Sequence, residues 1–527
     1  MISVQAYCHK FQKSCFLAFL LLSPALGWTQ EAAFDSIQTH HVKAYVHADG
    51  LLFHSPRGEG GLQMNQGNDF GILSAMLWMG GYSSDGNLYL SAGLPNDSTE
   101  RKALLDFQPG ALQDNGAPPP PPDEAFWNQV WKISRHQVNH HRQNFQNDGY
   151  QVPAAIQNWP VHAPEQLSGN YDEFIAPYFD VAASTNFVYE PEKGDFPHFK
   201  GDQALFFVVN DLMPNPAAGG RPMNLQLKGM LYAYQNEQDF LQNTLFLDLT
   251  IENKGEINLE DFYVGLFQDF GFKKAASHLM ASHPELNMLV AYPNEETGHT
   301  YENEVPAQGI LLLAEEMHAN THFPAAKIPD EDLTFYHYLS GKDQNGTNIG
   351  TGDFPSLLNP ALNCEAMHAQ ATDLAADFQA PHYGVLAHKR ENFNLTQQLK
   401  LTFAFVYASG QNTKEALCQL EDYARQIQNF DASALSAEAA SNKLNGLQLF
   451  PNPVKNGNFQ IAFDEVPKGA VQTTLINLNG QTVAEEIHPA AAQIHLSFPG
   501  NAPKGMYLLR VTDTQSGQYS TKKVIHH

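Results

Sequence analysis

Val471-Gln-Thr-Thr-Leu-Ile-Asn-Leu-Asn479-Gly480-Gln481 alternates apolar and polar residues and then enters a turn-forming Asn-Gly pair. The alternation recurs in Lys504-Gly-Met-Tyr-Leu-Leu-Arg-Val511, just after Pro503, and in Thr521-Lys-Lys-Val-Ile525. Leu447-Gln-Leu-Phe-Pro-Asn-Pro453 begins the series. Alternating runs bounded by Asn-Pro, Asn-Gly and Pro-x-Gly are typical of antiparallel strands joined by tight turns. We therefore predict that residues 447–527 form a small immunoglobulin-like β-sandwich.

These C-terminal motifs also carry a resemblance to a known family. In order and spacing, residues 447–527 resemble the type A C-terminal sorting domain of the type IX secretion system, which is found in the phylum Bacteroidota. The resemblance implies recognition by secretion machinery at the outer membrane, usually followed by cleavage. The cargo would then be released or tethered to surface polysaccharide.

Five residues of this domain are candidates for the sorting signal. We expect Gly505 to allow a tight turn, and Tyr507 and Val511 to face the core. Lys522 and Lys523 would be exposed to a partner in the secretion machinery. The alternative for the two lysines is a role in solubility alone.

The N-terminus fits the same export route. Lys10 and Lys13 give a basic start, Cys15–Leu22 is apolar, and small residues follow at Ala25–Gly27. This order predicts a signal peptide over residues 1–27. Eight apolar residues are too few to span a bilayer, which needs roughly 20, so we expect no transmembrane segment. The predicted location is the cell surface or the medium, reached through the periplasm.

Composition limits the classes of protein to consider. Hydrophobic residues make up 43% of the 527 residues and charged residues only 16%, a mix that favours a mainly β protein. The net charge of −26 would repel a phosphate backbone, so we do not expect nucleic acid as a partner. An acidic surface suits an exported protein in contact with solvent.

The cargo region reads as a β-sandwich-rich body with one or two helices. The predicted divisions are a signal peptide (1–27), an N-terminal β region (38–117), a polyproline spacer (118–122), a central β-rich region (123–430), a linker (431–446) and the sorting domain (447–527). Strong strand candidates are Ala204–Val209, Asn224–Tyr232, Thr244–Ile251, Phe262–Phe267 and Leu399–Tyr407. Hairpins are predicted around Asp49-Gly50 and Asp85-Gly86, and helices over 126–145, with Ser134 as an N-cap, and over 413–428.

Residues 40–427 resemble a group of long exported Bacteroidota proteins whose function is unassigned. The matching pieces are Leu77-Trp-Met-Gly-Gly81, Asp85-Gly86, Asp106-Phe-Gln-Pro-Gly110, Trp131-Lys-Ile-Ser-Arg135, Asn158-Trp-Pro160, Gly194-Asp-Phe-Pro197, Lys200-Gly-Asp-Gln203, Tyr263-Val-Gly265 and Tyr336-His-Tyr-Leu-Ser-Gly341. Relatives carry an acidic loop suited to calcium, but this chain keeps little of it. We expect no cofactor. Structural calcium at Asp180, Asn186, Asp195 or Asp202 is the alternative to a loop held by side-chain-to-backbone hydrogen bonds.

Two cysteines lie outside the predicted signal peptide. Cys364 and Cys418 either form a disulfide or remain two separate buried thiols, and the sequence leaves both alternatives open.

The sequence gives only weak evidence for catalytic residues. His136 and His140 share a helix face, but Gln137 stands where a zinc protease needs a Glu, so we expect solvated imidazoles on a surface helix. Nothing pairs any two carboxylates, for instance among Asp172, Glu173 and Asp269. Five aromatic residues could form a sugar-stacking platform, although a place in the core is favoured: Trp127, Trp131, Trp159, Tyr171 and Tyr178.

Two functions therefore remain open. The favoured one is a non-catalytic binding or structural module, with an extracellular glycan, surface polysaccharide or protein as its partner. The alternative is a secreted hydrolase that acts on polysaccharide or peptide.

Overall fold

The structure is a computed structural model that describes residues 32–526 with internal gaps. The gaps are residues 57–59, 65–68, 96–103, 165, 172–173, 182–187, 214–219, 236–237, 276, 295–300, 302–303, 314, 350–362, 369–381, 442–446, 452–453, 456, 464–465, 478–481, 501 and 515–518. The predicted signal peptide, residues 1–27, lies outside the described residues.

The chain is mainly β. In chain order the strands are β1 (Phe34–Gln38), β2 (Lys43–His47), β3 (Leu62–Met64), β4 (Asp69–Ser83), β5 (Leu88–Ser91), β6 (Gly93–Leu94), β7 (Leu104–Leu105), β8 (Gln108–Pro109), β9 (Trp131–Ser134), β10 (Tyr178–Phe179), β11 (Phe196–Pro197), β12 (Gln203–Asn210), β13 (Leu225–Ala233), β14 (Thr244–Asn253), β15 (Leu259–Phe270), β16 (His278–His283), β17 (Met288–Pro293), β18 (Val305–Leu313), β19 (Ala319–Pro324), β20 (His382–Phe393), β21 (Gln398–Gly410), β22 (Gln448–Phe450), β23 (Asn458–Ala462), β24 (Val471–Asn477), β25 (Thr482–His488), β26 (Gln493–Ser497), β27 (Gly505–Asp513) and β28 (Tyr519–His526). The helices are α1 (Pro121–Trp127), α2 (Arg135–Asn144), α3 (Ala154–Gln157), α4 (Asp239–Gln242), α5 (Asp332–Leu339) and α6 (Thr413–Ser441).

Two large antiparallel sheets build the body. In the described residues, the first sheet has eight strands in the order β1-β2-β3-β4-β15-β20-β19, with β5 paired to β4. The second has nine strands in the order β16-β17-β18-β21-β14-β13-β12-β8, with β9 paired to β12. Their facing sides form one hydrophobic core, in which the rings of Phe53 and Phe405 meet edge to face at 4.6 Å. This is the sandwich-rich body that the sequence predicts.

Both sheets are also covered on their outer faces. On the first sheet, Phe335 and Leu339 of α5 pack with Trp78 and Phe267. On the second sheet, α6 packs across β18 and β21, and Leu420 lies against Gly309. Because both faces are buried, the strands carry long apolar runs with few polar interruptions, and all nine residues of β18 are buried.

The apolar runs locate the body strands well. The candidates at 204–209, 244–251 and 399–407 lie within β12, β14 and β21. The hairpin predicted at Asp85-Gly86 is confirmed by the pairing of β4 with β5. Ser134 caps α2 as predicted, because its hydroxyl accepts a hydrogen bond from the Gln137 backbone N–H.

The polyproline stretch at 118–122 does not separate two regions as a spacer would. Pro121 is the first residue of α1, where the missing N–H costs no hydrogen bond. Pro119 is buried, and its ring and Trp127 lie against Gly110. Strands from both sides of the stretch pair with each other, β4 with β15 and β8 with β12. The predicted N-terminal and central regions therefore share the same two sheets.

The predicted linker also differs from the structure. Helix α6 continues to Ser441, well past the expected end at 428, and takes in most of 431–446. Residues 431–441 are rich in alanine, which has the highest helix propensity. Asn412 caps the start of the helix by accepting from the Glu415 N–H, and Glu415 in turn accepts from the Gln411 N–H. Residues 442–446 lie outside the described part.

The seven C-terminal strands form a sandwich with a core of its own. Strands β22-β23-β26 make one antiparallel sheet, and β25-β24-β27-β28 make the other. The buried residues between them include Phe459, Phe498 and Tyr507, and they form a cluster separate from the core of the body. We call residues 447–526 the C-terminal domain.

Candidate functional site

The hairpin of β1 and β2 presents an exposed face with aromatic and polar side chains. Side chains alternate between the two faces of a strand, so residues paired across the hairpin share a face. Ile37, Ala44 and Val46 point into the core. The opposite face carries the paired residues Phe34 and His47, Ser36 and Tyr45, and Gln38 and Lys43.

Beside this face lies a cleft of about 830 Å³. Its lining residues are Ser36, Gln38, Thr39, His40, Lys43, Lys132, Gln203, Gln235 and Gln242. They come from the β1–β2 hairpin and its turn, from β9, from the start of β12, from the segment after β13, and from the last residue of α4. We call this site the hairpin cleft.

Three hydrogen bonds fix the walls of the hairpin cleft. The Gln203 side-chain amide donates to the Gln38 carbonyl at 3.1 Å. The Thr39 hydroxyl donates to the carbonyl of Gln242 at 2.6 Å. Lys132 Nζ donates to the Ser36 carbonyl at 2.6 Å. These contacts join the edge of the first sheet to the second sheet, so the cleft is formed by distant parts of the chain.

The charge of the hairpin cleft is unlike that of the whole chain. Two lysines and a histidine line it, and the described lining residues include no Asp or Glu. Lys132 lies 3.4 Å from Asp35 Oδ1, whereas Lys43 lies over the Tyr45 ring, with Nζ 4.9 Å from the ring centroid. Next to the cleft, burial lowers the pKa of His41, and the charge of neighbouring His40 lowers it further.

The arrangement can bind a ligand that both donates and accepts hydrogen bonds. Glutamine amides offer N–H donors and carbonyl acceptors, Ser36 and Thr39 offer hydroxyls, and lysine ammonium groups are donors only. Phe34, which is 48% exposed, and Tyr45 lie on the same hairpin face. Sugars combine hydroxyl groups with apolar C–H faces, so a polar cleft beside the exposed ring of Phe34 and the half-buried ring of Tyr45 suits a glycan chain.

The aromatic residues singled out from the sequence are core residues. Trp127, Trp131, Trp159 and Tyr171 are all buried, with Trp127 fully so. They pack around one another on the outer side of β12, where Trp131 and Trp159 contact Phe206. Tyr178 is half-buried. The four buried aromatics therefore belong to the core, which the sequence favoured, and a sugar-stacking platform built from them is wrong.

The hairpin face was missed because its first strand lies before the predicted N-terminal region. The two apolar residues of β1, Phe34 and Ile37, are three positions apart and lie on opposite faces of the strand. The sequence of β1 therefore lacks the period of two that marks a half-buried strand. The four glutamines of the cleft give no sequence signal, because folding alone brings them together.

The histidines of α2 take different environments. His136 and His140 are exposed, as expected for a surface helix. His141 is buried, and its two ring nitrogens lie 3.1 Å from the Asp195 carbonyl and 3.3 Å from the Tyr150 hydroxyl. Burial lowers the pKa of His141, so the ring stays neutral at pH 7.

The loop considered for calcium is held by hydrogen bonds to a buried carboxylate. Asp195 is fully buried and accepts from the backbone N–H groups of Val181 and Glu190, each at 2.8 Å. Asp202 accepts from the Gln235 N–H at 2.7 Å. Asn186 lies outside the described residues. Among the described residues, including those of this loop, no group of three or more His, Cys, Asp or Glu is placed to hold a metal. Structural calcium at this loop stays a prediction.

Of the candidate acidic residues, Asp172 and Glu173 lie outside the described residues, and Asp269 is half-buried on β15.

Cys364 and Cys418 form a disulfide, which joins the short helical segment 364–368 to α6. Glu421 of the same helix accepts a hydrogen bond from the Cys364 N–H at 2.6 Å.

In the C-terminal domain, Tyr507 and Val511 face the core, and Tyr507 donates a hydrogen bond from its hydroxyl to the Pro503 carbonyl at 2.6 Å. Gly505 is the first residue of β27 and has a φ of 155°, which L side chains rarely adopt. Lys522 is half-buried on β28, and the side chain of Lys523 lies outside the description. The sorting role of these five residues stays a prediction.

Two known proteins align with this chain at low sequence identity. Over 122 residues the chain is 28% identical to "Ulvan lyase NLR42" of Nonlabens ulvanivorans. That match covers 23% of this chain and 21% of the relative, so the chain spans about a fifth of its length. A solved "Biofilm associated protein - BSP domain" aligns over 96% of this chain and 84% of its own, at 9% identity and a TM-score of 0.14. A likeness this low carries no argument.

The C-terminal domain matches a described family. Residues 448–526 fit the family model "Secretion system C-terminal sorting domain", as the motifs predicted. Such a domain marks a protein for export across the outer membrane by the type IX secretion system. Among the described residues, no helix is both long enough and apolar enough to cross a bilayer. This match is confined to the C-terminal domain and does not extend to the body.

Proposed function

We propose that the body of this exported protein is a non-catalytic binding module that holds a glycan chain in the hairpin cleft. The observation that carries the proposal is the cleft itself, lined by amide, hydroxyl and ammonium groups beside the exposed ring of Phe34 and the half-buried ring of Tyr45. The sorting domain supports it, because export brings the body to the surface or the medium, where polysaccharide is abundant.

The physical argument rests on how sugars are bound in water. A glycan exposes hydroxyl groups that donate and accept, so amide side chains can pair with it in either direction. Water competes for every such bond, and each contributes only about 0.5–1.5 kcal/mol net. Apolar contact between C–H groups and aromatic rings adds to these bonds. Open clefts of this kind bind extended chains through several modest contacts.

The alternative, a secreted hydrolase, has less support at this site. Hydrolysis of a glycosidic bond uses two carboxyl groups, within about 10 Å of each other, on either side of the scissile bond. Among the described residues that line the cleft, none is a carboxylate. The lyase activity named for the Nonlabens protein belongs to that protein, whose match covers only 23% of this chain.

A glycan array probed with the full chain tests the proposal. We expect retention of one class of polysaccharide. The double variant Phe34→Ala/Tyr45→Ala should weaken that retention at least tenfold. Phe174→Ala is the matched control, because Phe174 is 40% exposed and lies neither on the β1–β2 hairpin nor among the residues that line the cleft.

Two results would contradict the proposal. One is equal retention by the double variant and the wild type, which would show that the hairpin face takes no part in binding. The other is release of new chain ends from any retained glycan, which would make the protein an enzyme. A melting curve for each variant separates lost binding from lost fold.

A further inference from the structure

The contrast in charge between the hairpin cleft and the rest of the chain points to the class of glycan. The chain has 56 Asp and Glu against 30 Lys and Arg, so acidic groups outnumber basic ones almost two to one. The described residues that line the cleft reverse this balance, with Lys43 and Lys132 and no carboxylate. The cleft is therefore a local positive site on an acidic protein, and the rest of the protein repels other anions at long range.

Lys43 provides a positive charge that no carboxylate neutralises in the described part of the chain. Its ammonium group lies 4.9 Å from the centroid of the Tyr45 ring, and the side chain is half-buried. The ring face attracts the cation without cancelling its charge. Lys43 can therefore donate hydrogen bonds to an anionic group that enters the cleft.

Lys132 is held in place while it keeps capacity for a ligand. Its ammonium group has three N–H donors. One donates to the Ser36 carbonyl at 2.6 Å, and Asp35 Oδ1 lies at 3.4 Å. The side chain is 43% exposed. Asp35 therefore orients Lys132 and also competes with any anion for its charge.

We infer, on the basis of the proposed function, that the hairpin cleft binds an acidic glycan, with Lys43 and Lys132 paired to its carboxylate or sulfate groups. The glutamine amides and the aromatic rings hold the sugar units, and the two lysines select for charge. Because the surrounding protein repels an acidic polymer, binding depends on these short-range contacts.

Binding of the full chain to four polymers tests the inference. Polygalacturonate and its carboxyl-reduced product differ only in the carboxylate, and dextran sulfate and dextran differ only in the sulfate. We expect one acidic polymer to bind at least tenfold more tightly than its neutral counterpart. A difference within the polygalacturonate pair identifies carboxylate as the recognised group, and a difference within the dextran pair identifies sulfate.

Three variants sharpen the test by moving affinity in opposite directions. Lys43→Gln and Lys132→Gln should each weaken binding about three- to tenfold, whereas Asp35→Asn should strengthen it about threefold. Lys414→Gln, at a 50% exposed lysine on α6, is the matched control and should change nothing.

The outcomes separate this inference from the proposed function. Equal binding of acidic and neutral polymers, with Lys43→Gln unchanged, would overturn the inference and leave glycan binding in place. Binding of none of the four, together with an array that retains only neutral glycans, would also overturn the inference alone. An array that retains no glycan at all would overturn the proposed function itself.

Discussion

The body and the C-terminal domain are both antiparallel sandwiches, but they bury their strands differently. In the body, strands such as β18 are buried along their whole length, because a second layer covers each sheet on the outside. In the C-terminal domain, β26 alternates exposed and buried residues, and Ile487 and Leu508 are exposed on β25 and β27. The body packs its sheets on both faces, whereas the C-terminal domain packs them on one.

This difference determines where each region can meet a partner. The broad faces of the body sheets are occupied by helices and by the buried tryptophans, so a ligand must approach an edge. The hairpin cleft lies at such an edge, where β1 and β2 meet the second sheet. The C-terminal domain instead leaves apolar side chains, Ile487 and Leu508, exposed on its four-stranded sheet.

Removal of the C-terminal domain should have the largest effect. We expect a chain without residues 447–527 to fold its body but to stay in the periplasm, because the body strands pair only among themselves in the described residues. Immunoblots of periplasm and medium measure this. As a control, residues 447–527 behind a signal peptide and an unrelated reporter should reach the medium. Normal secretion of the truncated chain would disprove the separation of roles.

A core substitution in each region tests whether the two cores are independent. Trp78 is fully buried, stacks on Phe267 and donates to the Gly93 carbonyl at 2.6 Å. We expect Trp78→Ala to destabilise the body by about 3–5 kcal/mol and to leave the C-terminal domain unchanged. Phe459→Ala, in the C-terminal core, is the matched control and should do the reverse. Calorimetry reads the two transitions, and a shift of both by either variant would show that the cores are coupled.

The sequence predicts the strands of both regions better than it predicts how they are joined. Long apolar runs locate β12, β14 and β21, because burial on both faces requires apolar residues at successive positions. Alternating runs locate the C-terminal strands, because burial on one face requires them at every second position. The prolines at 118–122 mislead, because composition alone cannot distinguish a spacer from a helix start packed on Gly110 and Trp127. The alanines of 431–441 mislead in the same way.

The candidate site is the part that sequence reasoning predicts least. Trp127, Trp131 and Trp159 attract attention by residue type, yet they are buried against the second sheet. The hairpin cleft combines Lys43, Lys132 and four glutamines, and its lining residues span 206 positions of the chain, from Ser36 to Gln242. Only strand pairing brings these residues together, and glutamine has no pattern that marks it as a ligand-binding residue.

Loss of the disulfide should destabilise the body and spare the C-terminal domain. Cys364 and Cys418 are separated by 54 residues. Closing a loop of that length stabilises the fold by at most about 4 kcal/mol, by restricting the unfolded chain. We expect the double variant Cys364→Ala/Cys418→Ala to lower the denaturant midpoint of the body transition. A reducing agent should do the same to the wild type and nothing to the variant. An unchanged body transition would show that the Glu421 contact and α6 packing suffice.

The stability of the body should fall in mild acid. His278 is 3% exposed, and its Nε2 lies 2.9 Å from the His382 carbonyl. Burial, with the charge of His382, lowers the pKa of His278 from 6.5 to about 4. Because the folded-state pKa lies below the unfolded one, the fold favours the neutral ring. This stabilisation is complete above about pH 6.5 and is lost as the pH falls toward 4, about 3 kcal/mol in all.

Urea unfolding of the body between pH 7.5 and pH 4.5 measures this loss. His278→Gln keeps a side-chain N–H donor near the His382 carbonyl and removes the titrating ring, so its stability should vary less with pH. The same slope in the variant and the wild type would assign the acid sensitivity to other groups.

The smallest effect is expected at Tyr507, where the C-terminal domain has a hydrogen bond that the sequence pattern does not show. The Tyr507 hydroxyl donates to the Pro503 carbonyl at 2.6 Å, while its ring packs 5.0 Å from Phe498. Tyr507→Phe keeps the ring and removes the donor, so we expect a loss of about 1 kcal/mol in the C-terminal domain alone. Secretion should remain normal if the residue acts through packing. Reduced secretion by a fully folded Tyr507→Phe chain would instead assign the hydroxyl to recognition by the export machinery.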